Sequence, residues 1–119
     1  MKNLIDCPVE RAVYFLGGKW KIRILFSLLH SKKVRFGELK KGLKTITQQM
    51  LSKQLKELEG DGIINRKVIR IMPPKVEYTL TEFGLSVMPI LKSFSEWNKR
   101  NTRTISAKLN KNFVENRIT

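Results

Sequence analysis

Between Thr47 and Lys56 the chain carries Gln48, Gln49, Ser52 and Lys53 at spacings that gather them on one side of an α-helix. Glutamine can bond an adenine edge twice, and lysine reaches guanine edges or phosphate oxygens, so these types suit a duplex major groove. The opposite side holds Leu51, Leu55 and Leu58, a narrow apolar stripe that would seat such a helix on a core. No acid falls on the polar side before Glu57. Taken alone, the row is equally the solvated face that most surface helices have. A second basic group follows it. Arg66, Lys67, Arg70 and Lys75 surround Pro73-Pro74, an arrangement suited to holding phosphates or entering a minor groove. Arg66 has another possible use, pairing with Glu57, Glu59 or Asp61. The candidate recognition set is thus Thr47, Gln48, Gln49, Ser52, Lys53 and Lys56. The candidate hairpin set is Arg66, Lys67, Arg70, Pro74 and Lys75.

Cys7 is the sole cysteine. It precedes Pro8 at the expected start of a helix, where the macrodipole favours a thiolate. Glu10 opposes that ionisation. Two readings stand, a thiol sensor or a small packed cap, and a sensor would need a bridge between subunits or a low-molecular-weight thiol. His30 is the only histidine and ends a helix as a terminal charge or hydrogen-bonded surface group. One cysteine and one histidine far apart offer no metal cluster of recognisable spacing. There is no Walker loop, no G-x-G-x-x-G and no nucleophile–base–acid set, so neither catalysis nor a cofactor is expected. Glu57, Glu59 and Asp61 read as salt-bridged surface acids. Trp20 and Trp97 read as core and interface aromatics.

The elements that must position these residues are a first helix over Pro8–Leu16 and a second over about 19–30. The second buries Trp20, Ile24, Leu25 and Leu28, with Lys19, Lys21 and Arg23 towards its other sides. A short helix over about 37–42 turns Phe36, Leu39 and Leu43 inward. The fourth, Gln48–Gly60, has Thr47 as N-cap and an Ile46–Leu51 hydrophobic staple. Gly60-Asp61-Gly62 stops it. Extended segments follow over 63–71 and 75–80, the second alternating Val76, Tyr78, Leu80 against Glu77 and Thr79. A last long helix begins after the N-cap Thr81, presents Phe83, Val87, Ile90, Phe94 and Trp97, and is kinked by Pro89 in mid-helix. Ile105, Leu109 and Phe113 permit one further amphipathic helix.

Composition bounds the partners. The chain has 119 residues, a single domain's worth, with 24 Lys and Arg against 10 Asp and Glu, a net charge of +14. Between residues 32 and 75 alone, twelve basic residues face four acidic ones. Such a domain repels itself and calls for an anionic partner, nucleic acid or an anionic membrane surface. No apolar run is long enough to span a bilayer. Met1–Asp6 lacks the apolar stretch of a secretory signal, and the lone thiol suits a reducing compartment, so the expected location is cytoplasmic.

Ordered motifs then carry a resemblance. Cys7-Pro-Val-Glu10, Gly17-Gly-Lys-Trp20, Arg35-Phe36 with Glu38-Leu39, the Leu51–Gly62 segment, and Pro73-Pro-Lys-Val-Glu-Tyr78 with Leu80-Thr-Glu-Phe-Gly84 closely resemble the HxlR-type helix-turn-helix regulators, relatives of the MarR group. The resemblance covers about residues 7–98 and leaves the basic extension 99–119 uncovered. It implies a mainly α winged helix-turn-helix with a small β-hairpin, a helix at 47–60 that reads an operator, a proline-tipped wing, and first and last helices that build a homodimer. It also implies a DNA-binding repressor or activator. Several such regulators resemble this chain in having a cysteine at this place that senses oxidants or electrophiles. The apolar excess of the last helix is a separate motive for a dimer, whose twofold axis would demand a pseudo-palindromic operator. The alternative is a basic protein that binds RNA or chromosomal DNA with little sequence reading.

Overall fold

The computed structural model describes residues 7–112; Met1–Asp6 and Phe113, with the expectations placed on them, lie outside it. The chain divides into two compact units, Met1–Met88 and Pro89–Thr119. The first contains α1 (Pro8–Leu16), α2 (Lys21–Ser31), β1 (Val34–Arg35), α3 (Phe36–Leu43), α4 (Gln48–Gly60), β2 (Ile64–Arg70), β3 (Lys75–Leu80) and α5 (Glu82–Leu85). α6 (Met88–Arg100) and α7 (Thr102–Asn112) follow.

Three helices cover one small sheet in the first unit. Ile24, Leu25 and Leu28 of α2, Leu39 and Leu43 of α3, and Leu51, Leu55 and Leu58 of α4 are all buried, joined by Ile63 and Ile64. Each such side chain contributes about 1.5–3 kcal/mol relative to exposure. The caps fall where the sequence puts them. Thr47 Oγ1 accepts from the Met50 amide at 3.0 Å, and Ile46 is buried beside Leu51 as a staple requires.

Three expectations are corrected. The hairpin is the larger part of a three-stranded antiparallel sheet in the order β1-β3-β2, because Val34 and Arg35 pair with Tyr78 and Glu77. β2 pairs regularly with β3 from Ile64 to Val68, and the register shifts between Val68 and Arg70. Trp20 stands ahead of α2 and only half-buried, its ring holding Lys19 Nζ and the Arg23 guanidinium, each 4.9 Å from the centroid. The long C-terminal helix is interrupted at Ser86–Val87, so Pro89 lies in the first turn of α6 and kinks nothing. That position suits proline because first-turn amides have no partner within the helix. α6 buries Leu91 and leaves Ile90, Phe94 and Trp97 exposed.

Two lysines close the helices that flank the sheet. Lys32 and Lys44 adopt φ of 57° and 61°, each at the centre of a tight turn in which Lys33 N donates to Ser31 O and Thr45 N to Leu43 O. The Lys44 turn sets the short link between α3 and α4.

A third junction ties α4, the hairpin and α5 together. The Thr81 amide donates to Ile63 O at 3.0 Å, its hydroxyl donates to Gly62 O at 2.6 Å, and the same oxygen accepts from Gly84 N at 2.9 Å. Gly84 lies so close to the Ile63 carbonyl that a Cβ there would overlap it. Gly60, the last residue of α4, has open space around its would-be Cβ. Gly84→Ala therefore destabilises by about 2–3 kcal/mol, whereas Gly60→Ala stabilises by up to about 1 kcal/mol. Urea unfolding at one fixed protein concentration reads both, and equal effects of the two substitutions would contradict the close approach.

Candidate nucleic-acid interface

The surface is built on α4. With Leu51, Leu55 and Leu58 fully buried, the 3.6-residue period turns Gln49, Lys53 and Lys56 outward, and all three are exposed. Gln48 is exposed at the N-terminus and Ser52 is half-buried at the edge. Thr47, Gln48, Gln49, Ser52, Lys53, Lys56 and Glu57 line one open concavity of about 860 Å³. The six expected recognition residues are thus brought together, with Glu57 added. Thr47 spends its acceptor on the helix cap.

Glu57 is explained from below. Lys21, expected on an outer side of α2, is instead buried, and its Nζ lies 2.7 Å from Glu57 Oε1. A buried ammonium needs an opposite charge and a hydrogen-bond acceptor, and Glu57 supplies both. The hydrogen bond from Lys21 holds the Glu57 carboxyl below its ordinary range; partial burial opposes this, while the charges of Lys21 and Lys53 add to it. The acid on the polar face therefore stays ionised but is neutralised by its partner. The sequence did hold a sign of this, since Lys21 shares the spacing of Ile24, Leu25 and Leu28 and so falls within the apolar stripe of α2.

The hairpin set divides between two faces. Arg66 pairs directly across from Tyr78, and Ile64 from Leu80, so Arg66 shares the inward face of the sheet with Ile64, Tyr78 and Leu80. Lys67 lies opposite Glu77, which lies opposite Arg35, giving a cross-strand row of cation, anion and cation on the other face. Arg35 was missed from sequence because β1 was not foreseen. Arg70 pairs with Lys75 beside the tip, where Pro74 is exposed. Ile71 and Met72 at that tip are more than four-fifths exposed, an apolar point between basic flanks that the charge count passed over. None of Arg66, Lys67, Arg70 or Lys75 has a carboxylate within 4.0 Å among the described residues.

Cys7 is half-buried and immediately precedes α1, its carbonyl accepting from Arg11 N at 3.0 Å. His30 is exposed, with Nδ1 3.0 Å from Phe26 O. Among the described residues no group of three His, Cys, Asp or Glu could hold a metal, and no helix is long and apolar enough to cross a membrane.

A tri-helical core with an exposed polar helix and a basic antiparallel hairpin beside it defines a winged helix-turn-helix protein. Residues 15–106 match the HxlR-like helix-turn-helix family, and the chain belongs to it. That family comprises DNA-binding transcriptional regulators, not enzymes. The chain is 45% identical over 101 residues to an uncharacterised HTH-type transcriptional regulator of Halalkalibacterium halodurans, covering 85% of this chain and 89% of that one. It is similar to the redox regulator HypR in its reduced form, with a TM-score of 0.79 and 42% identity over 85% of this chain and 99% of that one. For HypR in its oxidised form the TM-score is 0.73, with 46% identity, covering 80% and 97% respectively.

The Lys21–Glu57 pair sets an acid limit to stability. A carboxyl whose folded pKa is lowered contributes stability above its unfolded value, near 4.3, and loses it as pH falls through the folded value. The stability gap between wild type and Glu57→Gln is therefore constant from neutrality to about pH 5 and narrows below about pH 4. Glu57→Gln is also more damaging at neutral pH than Lys21→Met, because it strands the buried cation whereas the reverse leaves a carboxylate in water. Denaturant unfolding across pH measures both; a gap that is flat to pH 2.5 would show that the pair is not formed.

Proposed function

We propose that this regulator binds double-stranded DNA sequence-specifically as a homodimer on a pseudo-palindromic operator. The observation that carries the reading is the exposed row of Gln48, Gln49, Lys53 and Lys56, with half-buried Ser52 at its edge, on a helix whose opposite side is buried. Glutamine and serine read base edges, and the lysines add guanine or phosphate contacts. A binder relying on charge alone would carry cations in place of the glutamines. Arg70 and Lys75, near an exposed apolar tip, hold the flanking backbone and add affinity without sequence choice.

Support for the dimer comes from apolar surface left uncovered within each unit. On α1, Val9, Val13 and Tyr14 are exposed; on α6, Ile90, Phe94 and Trp97 are. A second copy supplies the same residues, so a twofold contact is self-complementary. Two recognition helices then address half-sites about one helical turn apart.

Selection of bound sites from random duplexes at about 150 mM salt tests the proposal. The expected result is an enriched pseudo-palindrome with half-sites about ten base pairs apart, preferred over bulk DNA by about a thousandfold or more. On that site Gln49→Ala and Lys53→Ala reduce the preference, while Arg70→Ala and Lys75→Ala weaken binding to every sequence. Binding that merely fades with salt, without enrichment, would replace this reading with that of a non-specific basic protein.

Cys7 is the proposed point of redox control. HypR, solved in reduced and oxidised forms, is a redox regulator by description, and Cys7 is this chain's sole thiol. Diamide accepts two electrons and two protons as two Cys7 thiols, one from each subunit, join in a disulfide. Treated wild type should run as a covalent dimer on a non-reducing gel and change its operator affinity, and Cys7→Ser should do neither. An unaltered diamide response in Cys7→Ser would remove Cys7 from the proposal.

A further inference from the structure

A second recess lies behind the recognition helix, between α4 and the inward face of the sheet. It encloses about 320 Å³, with Phe36 and Leu55 as apolar walls and Tyr78 behind. Its polar groups are Ser52 and Lys56 from α4, Arg66 from β2, and Glu59. Ser52 and Lys56 also line the open concavity on α4, so the two depressions share a rim.

Arg66 is out of place for a residue that only packs. The strand alternation puts it on the inward face in line with Ile64 and directly across from the buried Tyr78, where an apolar residue would ordinarily stand. It nevertheless remains exposed, and no carboxylate is within 4.0 Å of it or of Lys56 among the described residues. The Tyr78 and Ser52 hydroxyls have no protein hydrogen-bond partner among the described residues, neither is an orphaned buried group, and both residues line the recess. Two cations and two hydroxyl-bearing residues therefore line one recess, against the one carboxylate of Glu59. A guanidinium presents paired N–H groups that match two oxygens of a phosphate or carboxylate, which a lysine alone cannot do.

We infer that this recess is a seat for a single phosphate-type oxyanion, with Arg66 and Lys56 binding its charge and the Tyr78 and Ser52 hydroxyls fixing its orientation. The inference rests on the proposal that α4 faces DNA, since the shared rim puts the seat beside the recognition row. It takes Arg66 from the hairpin's outer grip and couples it to the recognition helix, and it adds Tyr78 to the contact residues. The oxyanion is either a backbone phosphate of the bound duplex or a free phosphate that competes with it. Glu59 tempers the seat, so its charge lowers affinity for any anion there.

Binding of a labelled duplex is followed by fluorescence anisotropy over a range of sodium chloride concentrations, for wild type and three variants of unchanged melting temperature. Arg66→Gln is expected to weaken binding about tenfold at low salt and to lower the slope of log affinity against log salt by about 0.9, the loss of one phosphate contact. Tyr78→Phe should weaken binding about threefold with the slope unchanged, as removal of one neutral hydrogen bond does. Glu59→Gln should tighten it, a gain that a merely structural role for the cluster would not give. Titration of the free protein with inorganic phosphate against chloride at constant ionic strength separates the sources. A saturable amide shift at Ser52, lost in Arg66→Gln, shows that the seat also takes free phosphate; no shift, with the duplex effects present, assigns it to the DNA backbone. Unchanged affinity and slope in Arg66→Gln, with no phosphate shift, overturns the seat while leaving the DNA-binding proposal intact. A wild type that fails to bind duplex overturns that proposal, and the phosphate titration then decides the seat by itself.

Discussion

A charged ammonium placed in an apolar core must find its counter-charge inside the protein, and here that demand falls on one pair. Lys21 opens α2 on the side that carries Ile24, Leu25 and Leu28, and Glu57 of α4 answers it at 2.7 Å. The leucine stripe sets only which side of α4 is buried, because apolar contact is non-directional and tolerates some rotation of the helix. The ion pair has a direction. It fixes the azimuth of α4 about its own axis and its position along α2, and thereby the outward bearing of Gln49 and Lys53. Replacing such a pair by apolar residues is often neutral for stability, so its value to this fold lies in the orientation it enforces.

The far end of α4 is held by a different kind of constraint. Thr81 bonds the backbone at Gly62 and Ile63 while capping α5 through Gly84. Three backbone groups that a chain reversal would otherwise leave to water, Gly62 O, Ile63 O and Gly84 N, are satisfied by one hydroxyl and one amide. The hairpin consequently leaves the end of α4 along one path, with its base tied to that helix. A tied base and an exposed tip suit a wing, with Arg70 and Lys75 beside the tip and the inward Arg66 lining a recess with α4.

Much of this was legible in the sequence, and the remainder was not for identifiable reasons. Thr47, Thr81 and the Ile46–Leu51 staple are local signals, read from side-chain chemistry within one turn, and the structure has all of them. The outward row on α4 follows from three leucines and the helical period. β1 escaped notice because two residues, Val34 and Arg35, become a strand only through their pairing with β3, a contact more than 40 positions away in the chain. The break ahead of Pro89 was missed because a continuous apolar spacing concealed it; the period persists through Val87 although the helix does not. Arg66 and Lys21 share a deeper ambiguity. A long basic side chain within an apolar pattern is ordinarily assigned to solvent, yet its methylenes can line a core while its head group meets a partner at the edge. Only the register of β2 against β3, and the distance to Glu57, tell these two from their neighbours.

The distribution of charge over the candidate surface separates the two things a regulator of this kind must do. With a net +14, attraction to any duplex is assured, and added cations on α4 would raise bulk binding as much as binding to a chosen site. The outward row instead begins with two neutral glutamines and leaves its cations, Lys53 and Lys56, to follow. Glu57, which would repel phosphate at the end of that row, is silenced by Lys21, and the Arg35–Glu77–Lys67 row keeps the outer face of the sheet from becoming a uniformly positive plate. Among the described residues, Arg66, Arg70 and Lys75 have neither a carboxylate within 4.0 Å nor an acid directly across the strand pair, which suits contact with a phosphate backbone beside α4. Neutral donors at the start of the α4 row, cations after it and on the hairpin, and the one acid of that row paired inward would favour discrimination over indiscriminate adhesion, a division that composition alone does not specify.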